Sequence, residues 1–221
     1  MCGLFGFWRS GGPPEADRLR GLALAAGTRG PHAHGWATAG KRHVRLGPVD
    51  GAALSTVVDS VVGHARLATA GAHDDLACAQ PLQAERLFVA HNGTVPGAAL
   101  LAERHGLAPQ TASDSEVLAL LLARTDLGAG VTTLLDTVAP GVPLALLVLA
   151  GDGRVLAARR GHPLHALTRR EGTYLCSLPF PGSAPLPDAT VTVYGPGGAA
   201  QHPLSTTASL RRHTGGPQWT R

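Results

Sequence analysis

Met1-Cys2-Gly3-Leu4-Phe5-Gly6-Phe7-Trp8 opens the chain, and its reading organises everything that follows. Cys is a small residue, so the initiator Met before it is open to removal by an aminopeptidase. Cys2 would then carry a thiol and a free α-amino group, and that amine can serve as base for its own nucleophile. An α-amino group titrates near ~8 and a thiol near ~8.5, so both sit close to their working forms at neutral pH. The apolar and small residues after Cys2 predict a buried strand that holds this end rigidly. The plainer alternative makes Cys2 a small buried hydrophobe.

At 221 residues the chain has the length of one domain, with two small ones as the alternative. An apolar share of 44%, with 29 Gly and 17 Pro, fits a loop-rich globular protein rather than a disordered one. The longest apolar run, 142–150, is interrupted by Pro143 and suits a buried strand, not a membrane span. The N-terminus lacks the basic-then-apolar pattern of a signal peptide, so the cytoplasm is expected. Cys2, Cys78 and Cys176 are too few and too scattered for a disulfide framework or a zinc site. The net charge of +4 comes from dispersed arginines without aromatic interleaving, which argues against nucleic acid as a partner.

Helical spacing of Leu19, Leu22, Ala23 and Ala26 predicts a helix over 15–26 that stops at Gly27. Two short strands, 34–39 and 43–46, form a hairpin around Gly40-Lys41. An apolar segment over 57–68 and a strand over 87–90 follow, with Asn92-Gly93 read as a tight turn. Helices are expected over 96–105, 114–124 and 131–138. Ser113 and Glu116 have capping-box spacing at the second of these. Strands are then expected over 142–150, 154–158, 164–168, 173–177 and 190–194, ahead of a polar, frayed tail over 205–221. Helices segregated between strand groups, with antiparallel hairpins at both ends, argue for α+β layering.

Five segments in this order resemble the class II glutamine amidotransferases, whose glutaminase domain is an N-terminal nucleophile (Ntn) hydrolase. They are Cys2-Gly3-Leu4-Phe5-Gly6, Thr28-Arg29-Gly30-Pro31, Gly63-His64-Ala65-Arg66-Leu67-Ala68-Thr69, His91-Asn92-Gly93-Thr94-Val95 and Ser113-Asp114-Ser115-Glu116-Val117. Arg159-Arg160-Gly161-His162-Pro163-Leu164 echoes a sixth. The resemblance implies a four-layer αββα sandwich over 1–204, with Cys2 at the mouth of the sheets. It implies hydrolysis of the glutamine side-chain amide to glutamate and ammonia, with no cofactor.

The residue types suit that chemistry. Attack on an amide develops an oxyanion, which needs donors fixed in advance; Asn92 offers a side-chain NH2 and Gly93 a backbone N–H. By resemblance, Arg66 holds the substrate α-carboxylate with its planar fork, and Thr69 offers a hydroxyl nearby. Asp114 accepts from the α-ammonium. Arg29 and Gly30 occupy the place where the family supports its nucleophile. Two departures bear on the substrate: Leu67 stands where an aromatic often follows the arginine, and His32 replaces an acidic residue. His32 and His34 share a strand face, but no third ligand has suitable spacing, so no metal is expected. His64, His73 and His91 are read as shaping the pocket, and Cys78 and Cys176 as buried thiols.

The motifs use up the chain by about Leu164, leaving too little for a synthetase domain, so a separate synthetase is the expected ammonia acceptor. Loops over 71–86 and 93–97, rich in Gly, Pro and Ala, read as a lid. Two alternatives stand beside this reading. One is an amidohydrolase acting on a larger γ-glutamyl conjugate; the other is an inactive scaffold that keeps the fold.

Overall fold

The first strand, β1 (Gly3–Arg9), turns alternate side chains to opposite faces: Phe5 and Phe7 to one, Leu4 and Trp8 to the other. Both faces are buried because β1 lies inside a sheet that is covered on both sides. The computed structural model describes residues 1–68 and 73–206. After β1 come α1 (Ala16–Gly27), β2 (Ala33–Thr38), β3 (Lys41–Leu46) and β4 (Val61–Arg66). The middle of the chain supplies β5 (Leu82–Ala84), β6 (Leu87–Gly93), α2 (Ala98–Arg104), α3 (Asp114–Ala123) and α4 (Ala129–Val138). The last third is β7 (Leu144–Ala150), β8 (Val155–Arg160), β9 (His165–Thr168), β10 (Gly172–Cys176), β11 (Ala184–Pro185), β12 (Thr190–Gly195) and β13 (Gly198–Pro203).

The strands form two antiparallel sheets. One runs in the order β11-β9-β10-β1-β4-β2-β3, the other β13-β12-β8-β7-β6-β5. Three apolar clusters define four layers. Leu4, Val62, Ala90 and Leu147 meet between the sheets. Phe5, Phe7 and Tyr174 pack under α1, through Leu19, Leu22, Ala23 and Ala26. Val89, Leu146 and Val148 pack under α2, α3 and α4. The fold is therefore an α+β, αββα sandwich, as the sequence predicts. Burying a Phe or Leu completely contributes roughly 1.5–3 kcal/mol. The central strands β1 and β7, buried along most of their length, therefore carry much of the stability.

Most predicted elements lie within a residue or two of their observed bounds, and the differences have physical causes. Asn92-Gly93 is not a hairpin turn: β6 continues through both, which pair with Ala145 and Leu144 of β7. The capping box does not form. The Glu116 N–H donates to the Ser113 carbonyl and not to its hydroxyl, the Ser113 N–H goes to Thr111 Oγ1, and the Glu116 carboxylate is taken by the Gln110 N–H and by the N–H and hydroxyl of Thr111. The segment read as a lid over 71–86 contains, in its described part, a 3-10 turn at Leu76–Cys78 and β5. The tail is not frayed at its start: the Ser205 N–H donates to the Asp136 carboxylate at 2.9 Å. The rest of it, 207–221, lies outside the described residues.

Candidate active site

At one end of the sandwich the alternation of two strands brings Cys2 and Asn92 to the same gap. On β1, Leu4 faces between the sheets, so Cys2, two residues earlier, falls on that side. On β6, Phe88 and Ala90 face between the sheets and Asn92 follows them. The β1–β4 register pairs Leu4 with His64 and Gly3 with Ala65, which aligns Cys2 with Arg66 one step further on. A cavity of about 270 Å³ opens here, lined by Cys2, His64, Arg66, Asn92, Gly93 and Asp114 among others. That is the small end of the range for ligand pockets and suits a guest of amino-acid size.

Backbone contacts fix Cys2. A Cβ on Gly3 would lie 2.0 Å from the Ala26 carbonyl oxygen, so only glycine lets the start of β1 press onto the end of α1. Arg29, just beyond α1, donates from Nε to the Cys2 carbonyl at 3.0 Å. Gly30 lies against the Ala65–Arg66 peptide, where a Cβ would meet the Arg66 carbonyl carbon at 2.4 Å. The Leu67 N–H donates to Cys2 Sγ at 3.4 Å, and the thiol points back to the Leu67 carbonyl at 3.6 Å. Burial pushes the Cys2 thiol up; the Leu67 N–H, the chain N-terminus, Arg66 and Arg29 oppose that rise. With Met1 attached, the Cys2 nitrogen is an amide and cannot act as a base.

The Asn92 Nδ2 is buried and has no hydrogen-bond partner among the described residues. Leaving a buried donor unpaired costs roughly 1–3 kcal/mol, so an acceptor arriving there is favoured. Gly93 follows it at the end of β6. Asp114 opens α3, and its Oδ2 accepts from the Val95 N–H at 2.7 Å. Arg66 is 6% exposed, and its Nη1 donates to the carbonyls of His73 and Asp75, each at 3.4 Å. The Asp114 carboxylate and the Arg66 guanidinium thus share a cavity with a thiol and an unpaired amide donor.

Burial disfavours the charged form of the two histidines that lie deepest in the site, His64 and His91. Burial lowers His64 to about 3 and His91 to about 4, the nearby Asp114 only partly offsetting the latter. His162, which also lines the cavity, is lowered by burial and then by Arg29 and the chain N-terminus. The His73 carbonyl accepts from Arg66 Nη1. His32 accepts from the Ala68 N–H, and the His34 ring bonds the Gly47 carbonyl. Among the described residues no group of three His, Cys, Asp or Glu is placed to hold a metal. Thr69 lies outside the described residues.

Sequence reasoning did not place Cys78, Gln80, Ser115 or His162 on the cavity wall. Cys78 is a buried thiol as read, raised by burial and by its hydrogen bond to Asp75, and it also faces this cavity. Ser115 had a legible signal. It shares a helical face with Leu118, Ala119 and Leu122, all buried, so a polar residue there needs partners.

No family model and no curated protein sequence matches this chain. Solved structures do. It is similar to the glutamine phosphoribosylpyrophosphate (PRPP) amidotransferase from B. subtilis complexed with ADP and GMP, at 24% identity and TM-score 0.72. It is similar to a protein described as the allosteric regulatory enzyme of purine biosynthesis, at 24% identity and TM-score 0.71. In both cases the match covers 92% of this chain and 49% of the other, so the chain spans about half the length of those enzymes. A glutamine aminotransferase class-II domain protein from Silicibacter pomeroyi is matched over 93% of this chain and all of its own, at 17% identity and TM-score 0.60. At these identities the likeness is one of fold: the chain has the two-sheet α+β architecture of these structures. Among the described residues no helix is long and apolar enough to cross a membrane.

Proposed function

We propose that the chain is the glutaminase of an amidotransferase, hydrolysing glutamine to glutamate and ammonia with Cys2 as nucleophile, and that residues 1–204 form this unit. The observation that carries the reading is the unpaired, buried Asn92 Nδ2 on the wall of the cavity that Cys2 also lines. An amide donor stored without a partner beside a thiol is what a developing oxyanion requires. Removal of Met1 turns the Cys2 nitrogen into an amine that takes the thiol proton. The thiolate attacks the side-chain amide carbon, and the carbonyl oxygen becomes an oxyanion received by Asn92 Nδ2 and the Gly93 N–H. Collapse expels ammonia, the amine returning the proton to the leaving nitrogen. Water then cleaves the γ-glutamyl thioester, giving glutamate and the free thiol.

Arg66 and Asp114 serve as the clamp on the α-carboxylate and α-ammonium, with Arg29 and Gly30 holding the nucleophile in place. The ammonia passes to a separate synthetase. Mass spectrometry of the natively produced protein tests the first step and is expected to show loss of Met1. Glutamate release should be abolished in Cys2→Ala with the fold intact. A chain that keeps Met1 and still hydrolyses glutamine at full rate would sink the proposal.

A further inference from the structure

On the cavity wall, two buried polar side chains from two other elements, His91 and Gln80, converge on Ser115, the neighbour of Asp114. The alternation of β6 turns His91 away from the inter-sheet gap and toward α3, where its Nδ1 lies 3.0 Å from Ser115 Oγ. Gln80 comes from the segment before β5. Its Oε1 accepts from the His91 N–H at 2.6 Å and its Nε2 donates to Ser115 Oγ at 3.2 Å. Ser115 Oγ in turn lies 3.4 Å from Asp114 Oδ1. His91, Ser115 and Gln80 are all buried, so none of these bonds competes with bulk water.

Counting donors fixes the direction of the chain. A backbone N–H can only donate, so Gln80 Oε1 is the acceptor and its amide orientation is set. Ser115 Oγ therefore accepts from Gln80 Nε2 and has one proton to give. A carboxylate can only accept, and giving that proton to Asp114 lets the neutral His91 donate from Nδ1 to the same oxygen. Ser115 Oγ then uses its one proton and both of its lone pairs. The reverse assignment, Ser115 donating to His91, leaves Asp114 Oδ1 to solvent in the cavity instead of to a protein donor. Asp114 is thus held at both oxygens, by Val95 at Oδ2 and by Ser115 at Oδ1, and its remaining lone pairs are left for a ligand in the cavity.

We propose that Ser115, oriented by His91 and Gln80, is a positioning residue that aims Asp114 at the α-ammonium of the substrate and so sets selectivity for an amino-acid head. This rests on the glutaminase reading. Ser115 touches no reacting atom. Its loss lets the carboxylate rotate and weakens substrate binding without changing the chemical step. The expected signature is a rise in KM at nearly constant kcat. The loss of one hydrogen bond of ordinary net strength behind the contact corresponds to about a fivefold rise.

The test is steady-state hydrolysis by the wild-type chain, Ser115→Ala and Ser115→Thr, with folding checked by thermal melting. The substrates are glutamine and glutaric acid monoamide, which lacks only the α-amine. Ser115→Ala should raise KM for glutamine about fivefold with kcat held within about twofold. It should leave kcat/KM for the desamino amide at the wild-type value, and Ser115→Thr, which keeps the hydroxyl, should restore KM. Unchanged glutamine kinetics in Ser115→Ala, or equal losses on both amides, overturn the proposal alone. A processed wild-type chain inert toward glutamine overturns the glutaminase reading and the proposal with it.

Discussion

Gly93→Ala tests whether the end of β6 is an oxyanion site or merely a strand terminus. A Cβ at Gly93 would lie 2.6 Å from His91 Nε2, 3.1 Å from the Pro143 carbonyl oxygen and 3.2 Å from Leu144 Cβ. Ordinary contact begins near ~3.5 Å, so the wall must open by roughly 0.9 Å on the His91 side. The His91 ring is held at Nδ1 by Ser115, so the Gly93 peptide must shift instead. Overpacking of this kind costs ~1–3 kcal/mol, which the fold tolerates. The site does not: a displacement of ~1 Å costs about a hundredfold in rate, comparable to removing one oxyanion donor. The assay is kcat for glutamine with a thermal melt alongside, repeated in a His91→Ala background where the nearest obstacle is gone. We expect kcat to fall about a hundredfold in the single variant and at least about tenfold less in the double. Wild-type kcat in Gly93→Ala, or the same loss in both backgrounds, refutes the reasoning.

Three further outcomes follow from the geometry. Asn92→Ala should lower kcat by about 10²–10³ with KM little changed, because its Nδ2 donor acts only on the transition state; a KM effect alone would count against that role. Arg66→Lys keeps the charge but loses the fork, so kcat/KM should fall about ten- to a hundredfold, read by the same assay. Acid should destabilise the fold through its buried histidines. The folded-state values of about 3 for His64 and about 4 for His91 lie below the ordinary 6.5. Stability is therefore fully present above 6.5 and lost as pH falls toward those values, because only the unfolded chain takes up the protons. Urea midpoints should drop between pH 6.5 and 4, and His91→Gln should flatten the drop; parallel curves for the two proteins would contradict it.

Much of this was legible because buried strands and amphipathic helices write their period into the chain. Phe5, Phe7 and Leu4 show the two faces of β1, and Leu19, Leu22, Ala23 and Ala26 the face of α1. What stayed hidden depended on partners far along the chain. Asn92-Gly93 carries a turn signature, yet pairing with β7 keeps it extended. β13 has no apolar alternation, since it is an exposed edge held by its ladder to β12. Ser113 and Glu116 have capping spacing, but Thr111 and Gln110 reach the carboxylate first. Gln80 and Cys78 belong to no motif, and only the fold brings them beside Asn92 and Cys2.

The central claim is that Cys2 attacks a glutamine side chain in this cavity. Its most direct test is peptide mapping of the Met1-processed protein after exposure to a diazoketone analogue of glutamine, with excess glutamine as competitor. The account predicts one adduct, on Cys2, suppressed by glutamine and abolished in Arg66→Lys at limiting reagent. An adduct on Cys78, whose thiol faces the same cavity, or no adduct on Cys2 would contradict it.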